Sequence, residues 1–310
     1  MGKLKGMMLI GDHSDFEREF AVAKGLFTDD WVDMSYVCLD DVEVVAVDSV
    51  DGKVRAAGET YDLPDFVLVM TVEERSQYQL KAVLRMFETL GVVCVNTYDS
   101  IEAAGDKLYS FQIAKMAVPE ISIPDTVLVT ERTEPERLAE MLGLPLVLKV
   151  MHGFQGRGVC LVRDLQELKS MIGMLTAAEY GDQVIAQKAV MSSKGRDLRV
   201  VVAAGEVVTS FVRHNEKDFK SNLHQGGSIE PFTLPEDLAE RSVRLAEAFG
   251  LKMGSIDYLF GENEGEFLLC EVNSIPGISY LFRAQAQGDA ALVSRFMEMP
   301  KAILRREGLL

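Results

Sequence analysis

The amino-acid sequence predicts an α/β and α+β chain, with an open α/β domain at the amino terminus followed by two α+β lobes. Strand-like apolar runs alternate with helical stretches in the first third, and the last third is rich in strands. Between these regions, a glycine-rich segment separates two strand-like runs. We therefore expect three units, at residues 1–97, 98–180 and 181–310.

Composition restricts the class of protein. The chain has 310 residues, of which 48% are hydrophobic and 26% charged, as expected of two or three compact units. Its net charge of −16 argues against nonspecific nucleic-acid binding. No apolar run approaches the ~20 residues of a membrane helix, and the start of the chain resembles a lead-in to a strand more than a signal peptide. The four cysteines have no Cys-x-x-Cys spacing, so we expect reduced thiols in a cytoplasmic protein.

The amino-terminal domain is predicted from apolar runs alternating with helical stretches. Strands are expected at residues 7–10, 36–39, 42–47, 66–70 and 92–96. Helices are expected at residues 17–26 and 79–90, and Gly91 follows the second helix, where a helix commonly ends. This alternation predicts a small open sheet.

The two later lobes contain further strands and helices. In the central lobe we expect helices at 107–117 and 135–142, strands at 126–129, 146–150 and 159–162, and a helix begun by Asp164. In the C-terminal lobe we expect strands at 184–187, 198–203, 206–212, 253–260 and 266–273, a helix at 235–249 and a helical tail. The polar residues discussed next therefore lie within strands or directly after them.

The segment KVMHGFQGRGV at residues 149–159 carries Gly153, Gly156 and Gly158 between two strand-like runs. A Walker or Rossmann loop begins a helix whose N-terminus faces the phosphates, whereas this segment continues into a strand. It is therefore predicted to be a β-hairpin loop whose backbone N–H groups fold over an anionic ligand, with Lys149 on the preceding strand. The alternative is a mobile hairpin with no ligand.

Two acidic residues lie inside apolar runs near the end of the chain. Glu271 and Asn273 share one face of a predicted strand, with Cys270 and Val272 on the opposite face toward the core. If the preceding run pairs with this strand as a hairpin, Asp257 lies beside Glu271. Three oxygen ligands favour Mg²⁺ over zinc, because no His or Cys joins them. The alternative is a pair of carboxylates on a solvated sheet face.

Cations concentrate in the C-terminal lobe of this acidic chain. Arg199 and Arg213 lie in or at the ends of predicted strands, where guanidinium groups suit bidentate binding of carboxylate or phosphate oxygens. Ordinary salt bridges with Asp and Glu are the alternative for each arginine. The four histidines have no metal-ligand or triad spacing, and we favour structural or surface roles for them.

Together these segments resemble the RimK-like branch of the ATP-grasp superfamily, the α-L-glutamate ligases. The resemblance covers about residues 96–277. Its motifs, in chain order, are DK at 106–107, QGRGV at 155–159, IAQ at 185–187, KGRDLR at 194–199, DFKSNLHQGG at 218–227, GSID at 254–257 and EVNSIPG at 271–277. It implies the ATP-grasp fold, in which two α+β lobes clasp ATP, and the ATP-dependent joining of a carboxylate to an amine through an acyl phosphate.

The resemblance also implies the residues that bind the nucleotide and the metal. The nucleotide set is Lys107, Lys149, Gly153, Gln155, Gly156 and Gly158 for phosphate, Gln187, Lys188 and Val190 for adenine, Asp197 near the ribose, and Lys194. The metal ligands are Asp257, Glu271 and Asn273, which are expected to bind two Mg²⁺ ions, or Mn²⁺ in their place.

The groups implied to steer the γ-phosphate, the acyl phosphate and the oxyanion are Arg199, Arg213, Asn222 and the amide near Gly277. The implied substrates are an amino acid, with glutamate as the common amine of the family, and a carboxylate on a small molecule or on a peptide or protein tail. By analogy with the family, we expect a homodimer or a homotetramer, with no nucleic-acid or membrane partner.

The chain departs from the family pattern at three places. The hinge reads QKAV at residues 187–190 in place of Gln-Glu-aromatic-aliphatic, Phe154 replaces a small hydroxyl residue, and the amino-terminal domain lacks an Arg-rich substrate signature, although Arg75 lies in a comparable stretch. Backbone contacts with adenine survive the first change. The departures leave the substrate open.

Two other functions on the same fold stay open. One is an ATP-grasp kinase that phosphorylates a small molecule, and the other is a non-catalytic nucleotide-binding protein. A dinucleotide oxidoreductase is disfavoured, because no G-x-G-x-x-G begins a helix after the first strand.

Overall fold

The computed structural model describes residues 2–11, 20, 24, 31–45, 52–70, 77–151, 158–177, 183–215, 219, 228–276 and 289–310. These residues form three sheets of four or five strands, a separate two-stranded hairpin, and helices packed on the sheets. Of the helices in this part of the chain, none is both long and apolar enough to cross a membrane.

The amino-terminal domain is built on a parallel sheet. Its elements are β1 (Leu4–Ile10), β2 (Val32–Cys38), the hairpin strands β3 (Lys53–Ala56) and β4 (Glu59–Asp62), β5 (Phe66–Val69), helix α1 (Gln77–Thr89) and β6 (Val93–Val95). The four sheet strands have the order β2-β1-β5-β6 and run parallel. Helix α1 buries an apolar stripe that includes Leu80, Leu84 and Phe87 in the core of this domain. The predicted open α/β sheet is confirmed.

One predicted strand of this domain is wrong. In the run at residues 42–47, Val42 makes an isolated bridge to Ala56, and residues 43–45 form no strand. Val42 is buried, but the side chains of Val44 and Val45 are 44% and 41% exposed, so the apolar pattern does not reflect a sheet position. The hairpin of β3 and β4 was not predicted, because its strands are rich in charged residues. The predicted helix at 17–26 lies outside the described residues except for positions 20 and 24.

The stretch predicted as the central lobe forms an antiparallel sheet with two helices packed on it, preceded by two helices that pack in the core of the C-terminal sheet. Its elements are α2 (Tyr98–Gly105), α3 (Lys107–Ala117), β7 (Thr126–Val129), α4 (Pro135–Leu142), β8 (Leu146–Val150), β9 (Val159–Val162), α5 (Leu165–Ala177) and β10 (Val184–Lys188). The sheet order is β7-β10-β8-β9. Assigning residues 184–187 to the C-terminal unit was wrong, because β10 forms antiparallel ladders with both β7 and β8. Helix α2 was not predicted, although Thr97 caps it by accepting a hydrogen bond from Ser100 N.

The C-terminal lobe carries the largest sheet. Its elements are β11 (Arg196–Ala203), β12 (Glu206–His214), β13 (Ser228–Pro231), α6 (Glu236–Ala248), β14 (Met253–Phe260), β15 (Phe267–Asn273) and α7 (Ala290–Arg306). All neighbouring strands in the order β13-β12-β11-β14-β15 are antiparallel. The strands predicted at 198–203, 206–212, 253–260 and 266–273 are confirmed to within two residues at each end.

The two faces of this sheet pack against different layers. On one face, Val200 and Ile256 join a core with Phe111 of α3 and Leu245 of α6. On the other face, Val201 and Phe211 join a core with Ile303 of α7, and Met8 and Phe66 of the amino-terminal sheet are part of the same core. The amino-terminal domain is therefore packed directly on the sheet that carries the acidic and basic site residues.

Candidate active site

The two predicted carboxylates meet on neighbouring strands. Strands β14 and β15 pair so that Asp257 lies opposite Glu271 and Ser255 opposite Asn273. The hairpin pairing predicted from the sequence is therefore confirmed. The Asp257 side chain is 0% exposed, which contradicts the alternative of a solvated sheet face.

A β-bulge in β15 changes the side of the sheet on which Cys270 lies. The register shifts after Asp257, so that Tyr258 pairs with Leu269 and Asp257 with Glu271. Leu269 and Val272 both lie in the hydrophobic core, three residues apart, whereas Cys270 is not part of that core. Placing Cys270 on the core face with Val272 was wrong, because the extra residue breaks the alternation of period two.

Two arginines surround Asp257. Arg199 donates from Nε to Oδ1 at 2.7 Å and from Nη2 to Oδ2 at 2.6 Å, and Arg213 Nη2 donates to Oδ2 at 2.7 Å. Burial opposes ionisation of Asp257, but the guanidinium groups of Arg199 and Arg213 outweigh it and hold the pKa of this carboxyl below its ordinary value. Asp257 is therefore a carboxylate at neutral pH, and its oxygens point into a cationic site.

Asp197 lies on the other side of Arg213. Its two oxygens accept hydrogen bonds from Nε and Nη2 of Arg213, at 2.7 Å and 2.5 Å. Both side chains are 8% exposed, so the pair is buried. Burial alone would lower the pKa of Arg213, but the two aspartates raise it above its ordinary value. Asp197 thus orients Arg213 in this structure, and its role near a ribose stays a prediction.

Glu271 has the opposite electrostatic situation. Burial and the neighbouring charge of Asp257 raise the pKa of Glu271 above its ordinary value, and Lys107 opposes the shift. Nδ2 of Asn273 lies 3.4 Å from both Glu271 Oε1 and Asp257 Oδ2. A divalent cation would relieve the repulsion between the two carboxylates, and the donor set consists of the oxygens that Mg²⁺ prefers. The residues present therefore fit a Mg²⁺ site, although the structure has the Asp257 oxygens engaged by arginine.

Among the described residues, no wider cluster of acidic or sulfur ligands joins this set. Across the described ranges, no three His, Cys, Asp or Glu side chains converge as a metal site would require. The three predicted ligands are two carboxylates and one amide, all on β14 and β15.

Two lysines lie on the side of the central lobe. Lys107 donates from Nζ to the carbonyl oxygen of Met151 at 3.0 Å, and Lys149 donates from Nζ to Oε1 of Gln187 at 2.7 Å. Burial lowers the pKa of Lys107, against the opposing effect of Glu271. The structure thus brings Lys107 near the predicted metal ligands and Lys149 near the predicted adenine hinge.

The predicted adenine hinge lies at the end of β10. Gln187 is buried in β10 and donates from Nε2 to Thr126 Oγ1 at 2.9 Å, while Lys188 is exposed and Val190 half-buried. Lys194 is exposed before β11.

β8 and β9 pair as the predicted hairpin. The predicted site residues Gly153, Gln155, Gly156, Asn222 and Gly277 lie outside the described residues, as do Phe154 and Arg75.

Gly158 closes the described part of that hairpin. Its φ of +71° is in the left-handed region, and a Cβ there would lie 2.2 Å from Cγ2 of Val150. Glycine is therefore required at position 158 by both conformation and space.

A profile of the RimK-like ATP-grasp domain matches residues 104–292 of this chain. The chain belongs to this family. The match begins in helix α2 and includes the central lobe, the carboxylate pair and both arginines. The resemblance inferred from the motifs is confirmed.

Two relatives in the family are identical to this chain at about a third of the aligned positions. A probable alpha-L-glutamate ligase of Rhodopirellula baltica is 31% identical over 255 residues, which are 81% of this chain and 62% of that protein. A probable alpha-L-glutamate ligase of Sodalis glossinidius is 36% identical over 221 residues, which are 70% of this chain and 72% of that protein. The chain thus spans less than two thirds of the length of the first relative and more than two thirds of the second.

Solved structures confirm the ATP-grasp fold. D-alanine–D-alanine ligase from Bacillus anthracis, solved with ATP, superposes with a TM-score of 0.68 at 19% identity, covering 97% of this chain and 98% of that one. The ATP-grasp ligase PsnB, solved with a variant of its minimal precursor, Mg and ADP, gives a TM-score of 0.64 at 18% identity, covering 94% and 98%. At these identities the likeness establishes the fold.

One residue near the site has no role in the sequence-based prediction. Asn96 is buried directly after β6 and donates to the carbonyl oxygens of Met253 and Ser274. The available signal was a polar residue ending an apolar strand, which does not reveal its contacts with residues more than 150 positions away.

Proposed function

We propose that this RimK-like protein is an ATP- and Mg²⁺-dependent carboxylate–amine ligase that adds an amino acid, such as glutamate, to a carboxylate substrate. The observation that carries the proposal is the pair of buried Asp257 and half-buried Glu271 with Asn273 beside it. Arg199 and Arg213 contact Asp257, and Lys107 lies close enough to Glu271 to oppose the rise of its pKa. Such an arrangement would combine a divalent-cation site with fixed positive charge, which phosphoryl transfer to a carboxylate needs.

Each side of the site has its own task. Lys107 and Lys149 would exchange their present contacts with Met151 and Gln187 for phosphate oxygens, while the backbone near Gln187 would meet adenine. Asp257, Glu271 and Asn273 would hold the metal. When bound, ATP supplies the phosphoryl group that activates the substrate carboxylate as an acyl phosphate, and Mg²⁺ offsets charge on the phosphate oxygens.

The arginines orient the reacting groups. Arg199 and Arg213 lie on adjacent strands and both reach Asp257, so the two guanidinium groups converge on one region. There they would bind the γ-phosphate and the acyl phosphate, and Arg213 with the amide near Gly277 would stabilise the oxyanion that forms when the amine attacks. Closure of the loop at residues 153–158 would exclude water, because hydrolysis of the acyl phosphate would waste ATP. No dedicated base is required, since positioning and electrostatics suffice.

The names of the relatives support the proposed substrate class. The Rhodopirellula and Sodalis proteins are named probable alpha-L-glutamate ligases, and PsnB has also been solved with a precursor peptide. These names support an amino acid as the amine and a carboxylate on a small molecule, a peptide or a protein tail.

We further propose two bound Mg²⁺ ions that Mn²⁺ can replace, a cytoplasmic location, and a homodimer or homotetramer. Metal titration and size-exclusion chromatography with light scattering test the ion count and the assembly.

The deciding experiment supplies purified protein with ATP, Mg²⁺ and amino acids, singly and with carboxylate partners, and follows phosphate release and product mass. The proposal predicts free phosphate coupled to a mass gain of one amino acid less water. A phosphorylated small molecule without amide formation would identify a kinase instead. ATP binding without turnover of any pair, including peptide and protein acceptors, would favour the non-catalytic binding protein.

A further inference from the structure

The Asn96 amide joins the amino-terminal sheet to the strands that carry the predicted metal ligands. Its Nδ2 donates to the carbonyl oxygens of Met253 and Ser274, each at 2.6 Å. Its Oδ1 accepts from the backbone N–H of Lys252 at 2.7 Å and of Met253 at 3.2 Å. An asparagine amide offers two N–H donors and an oxygen with two lone pairs, so all four positions are used. The side chain is 1% exposed, and water does not compete for these bonds.

These contacts lie at the end of the strand pair where Asn273 is found. Met253 is the first residue of β14, and Ser274 directly follows β15. Between them, Gly254 packs so closely that a Cβ there would lie 2.7 Å from the carbonyl oxygen of Asn273. Because the strands are in direct contact here, a change at Ser274 would move Asn273.

The segment after β15 is held at three successive residues. Asn96 binds the carbonyl oxygen of Ser274, and Ile275 packs against the core of the amino-terminal domain. Arg199 Nη1 then donates to the carbonyl oxygen of Pro276 at 3.2 Å. The next residue in the sequence is Gly277, near which the oxyanion-binding amide is proposed.

We infer that Asn96 is a positioning residue for this site, and the inference rests on the function proposed above. Asn96 fixes the backbone of both strands at this end of the pair, and through that backbone sets the Asn273 side chain toward the metal. Outer residues that orient metal ligands typically contribute about 10–100-fold to metal affinity. The amino-terminal domain thereby completes a site whose ligands all belong to the C-terminal lobe.

The test compares Asn96→Ala with Ser100→Ala. Ser100 is also buried and its hydroxyl donates to the carbonyl oxygen of Gly250 at 2.8 Å, a long-range bond of the same kind that touches neither strand end. Mn²⁺ binding in the presence of a non-hydrolysable ATP analogue is measured by electron paramagnetic resonance, with folding checked by circular dichroism and denaturation. We expect about tenfold weaker Mn²⁺ binding in Asn96→Ala. In Ser100→Ala we expect a change of no more than about twofold, because its bond does not reach the ligands.

A second variant keeps the test decisive if Asn96→Ala does not fold. Ile275→Ala removes packing from the same segment at a half-buried position, and Mn²⁺ binding should weaken in the same direction. Mn²⁺ affinity unchanged from wild type in the folded variants would overturn the inference. The wild-type protein is assayed for amide formation in parallel, which separates the positioning role of Asn96 from the proposed ligase activity. If Mn²⁺ binding depends on Asn96 but no amide forms, the positioning role is retained and the ligase function is rejected. Wild-type protein that binds no Mn²⁺ with the nucleotide analogue would overturn both.

Discussion

Asp257 and Glu271 are direct partners across two antiparallel strands, yet their carboxyl groups have opposite electrostatic environments. Arginine contacts overcome burial and lower the pKa of Asp257, whereas burial and the charge of Asp257 raise the pKa of Glu271. The negative charge of Asp257 is therefore compensated by arginine, whereas a negative charge on Glu271 would be stabilised by a bound cation. That difference is the basis of the first prediction.

Glu271→Gln should abolish amide formation while the fold is retained. The amide keeps the shape of the side chain but removes the charge that we expect a metal to neutralise. Because the environment already disfavours ionised Glu271, the free energy of unfolding without metal should not decrease. Product formation by mass spectrometry and urea denaturation check both expectations. Glu264→Gln, in the exposed turn between β14 and β15, is the control and should keep wild-type activity. A folded Glu271→Gln protein with wild-type turnover would contradict the metal assignment.

Arg213→Ala should destabilise the protein strongly. Arg213 is 7% exposed and bonds to Asp197 and Asp257, so its removal leaves two buried carboxylates without this partner. Breaking a buried ion pair in this way typically costs about 3–5 kcal/mol. The matched control is Arg244→Ala, because Arg244 pairs with Glu120 at the surface, where solvent screens the ion pair and its contribution to stability is small. Chemical denaturation measures both changes, and equal losses of stability would contradict the prediction.

Lys149→Met should weaken nucleotide binding at least about tenfold, because it removes a positive charge assigned to phosphate and the contact with Gln187. Calorimetric titration with a non-hydrolysable ATP analogue is the measurement. Lys188→Ala is the informative control: its side chain is exposed, and the predicted adenine contacts are made by backbone. The control should bind within about twofold of wild type, because backbone contacts survive truncation of a side chain. A large loss in Lys188→Ala alone would assign the adenine contact to its side chain.

Gly158→Ala should destabilise the protein by about 1–3 kcal/mol, because the substitution forces an unfavourable positive φ and a clash with Val150. Gly173→Ala is the opposite case. Gly173 lies exposed inside α5, where a Cβ would meet nothing within 4 Å, so alanine should stabilise the helix by roughly 0.5–1 kcal/mol. Thermal and urea denaturation compare the two variants. A neutral Gly158→Ala would show that the hairpin tolerates a side chain at this point.

The sequence alone determined the main elements and the identity of the family. Apolar periodicity located β14 and β15 because both strands are long and flanked by a glycine-containing turn, and the ordered motifs identified the RimK-like family. Period two placed Glu271 and Asn273 on one face. These inferences depend on local pattern, which a single sequence contains.

Only the tertiary structure decided which side chains meet. The bulge that takes Cys270 out of the core depends on pairing with β14, and the membership of β10 in the central sheet depends on ladders with β7 and β8. Likewise, Asn96 meets Met253 and Ser274 from more than 150 residues away. Local pattern does not contain such contacts, because hydrogen-bond partners between distant segments are fixed only when the sheets pack against one another.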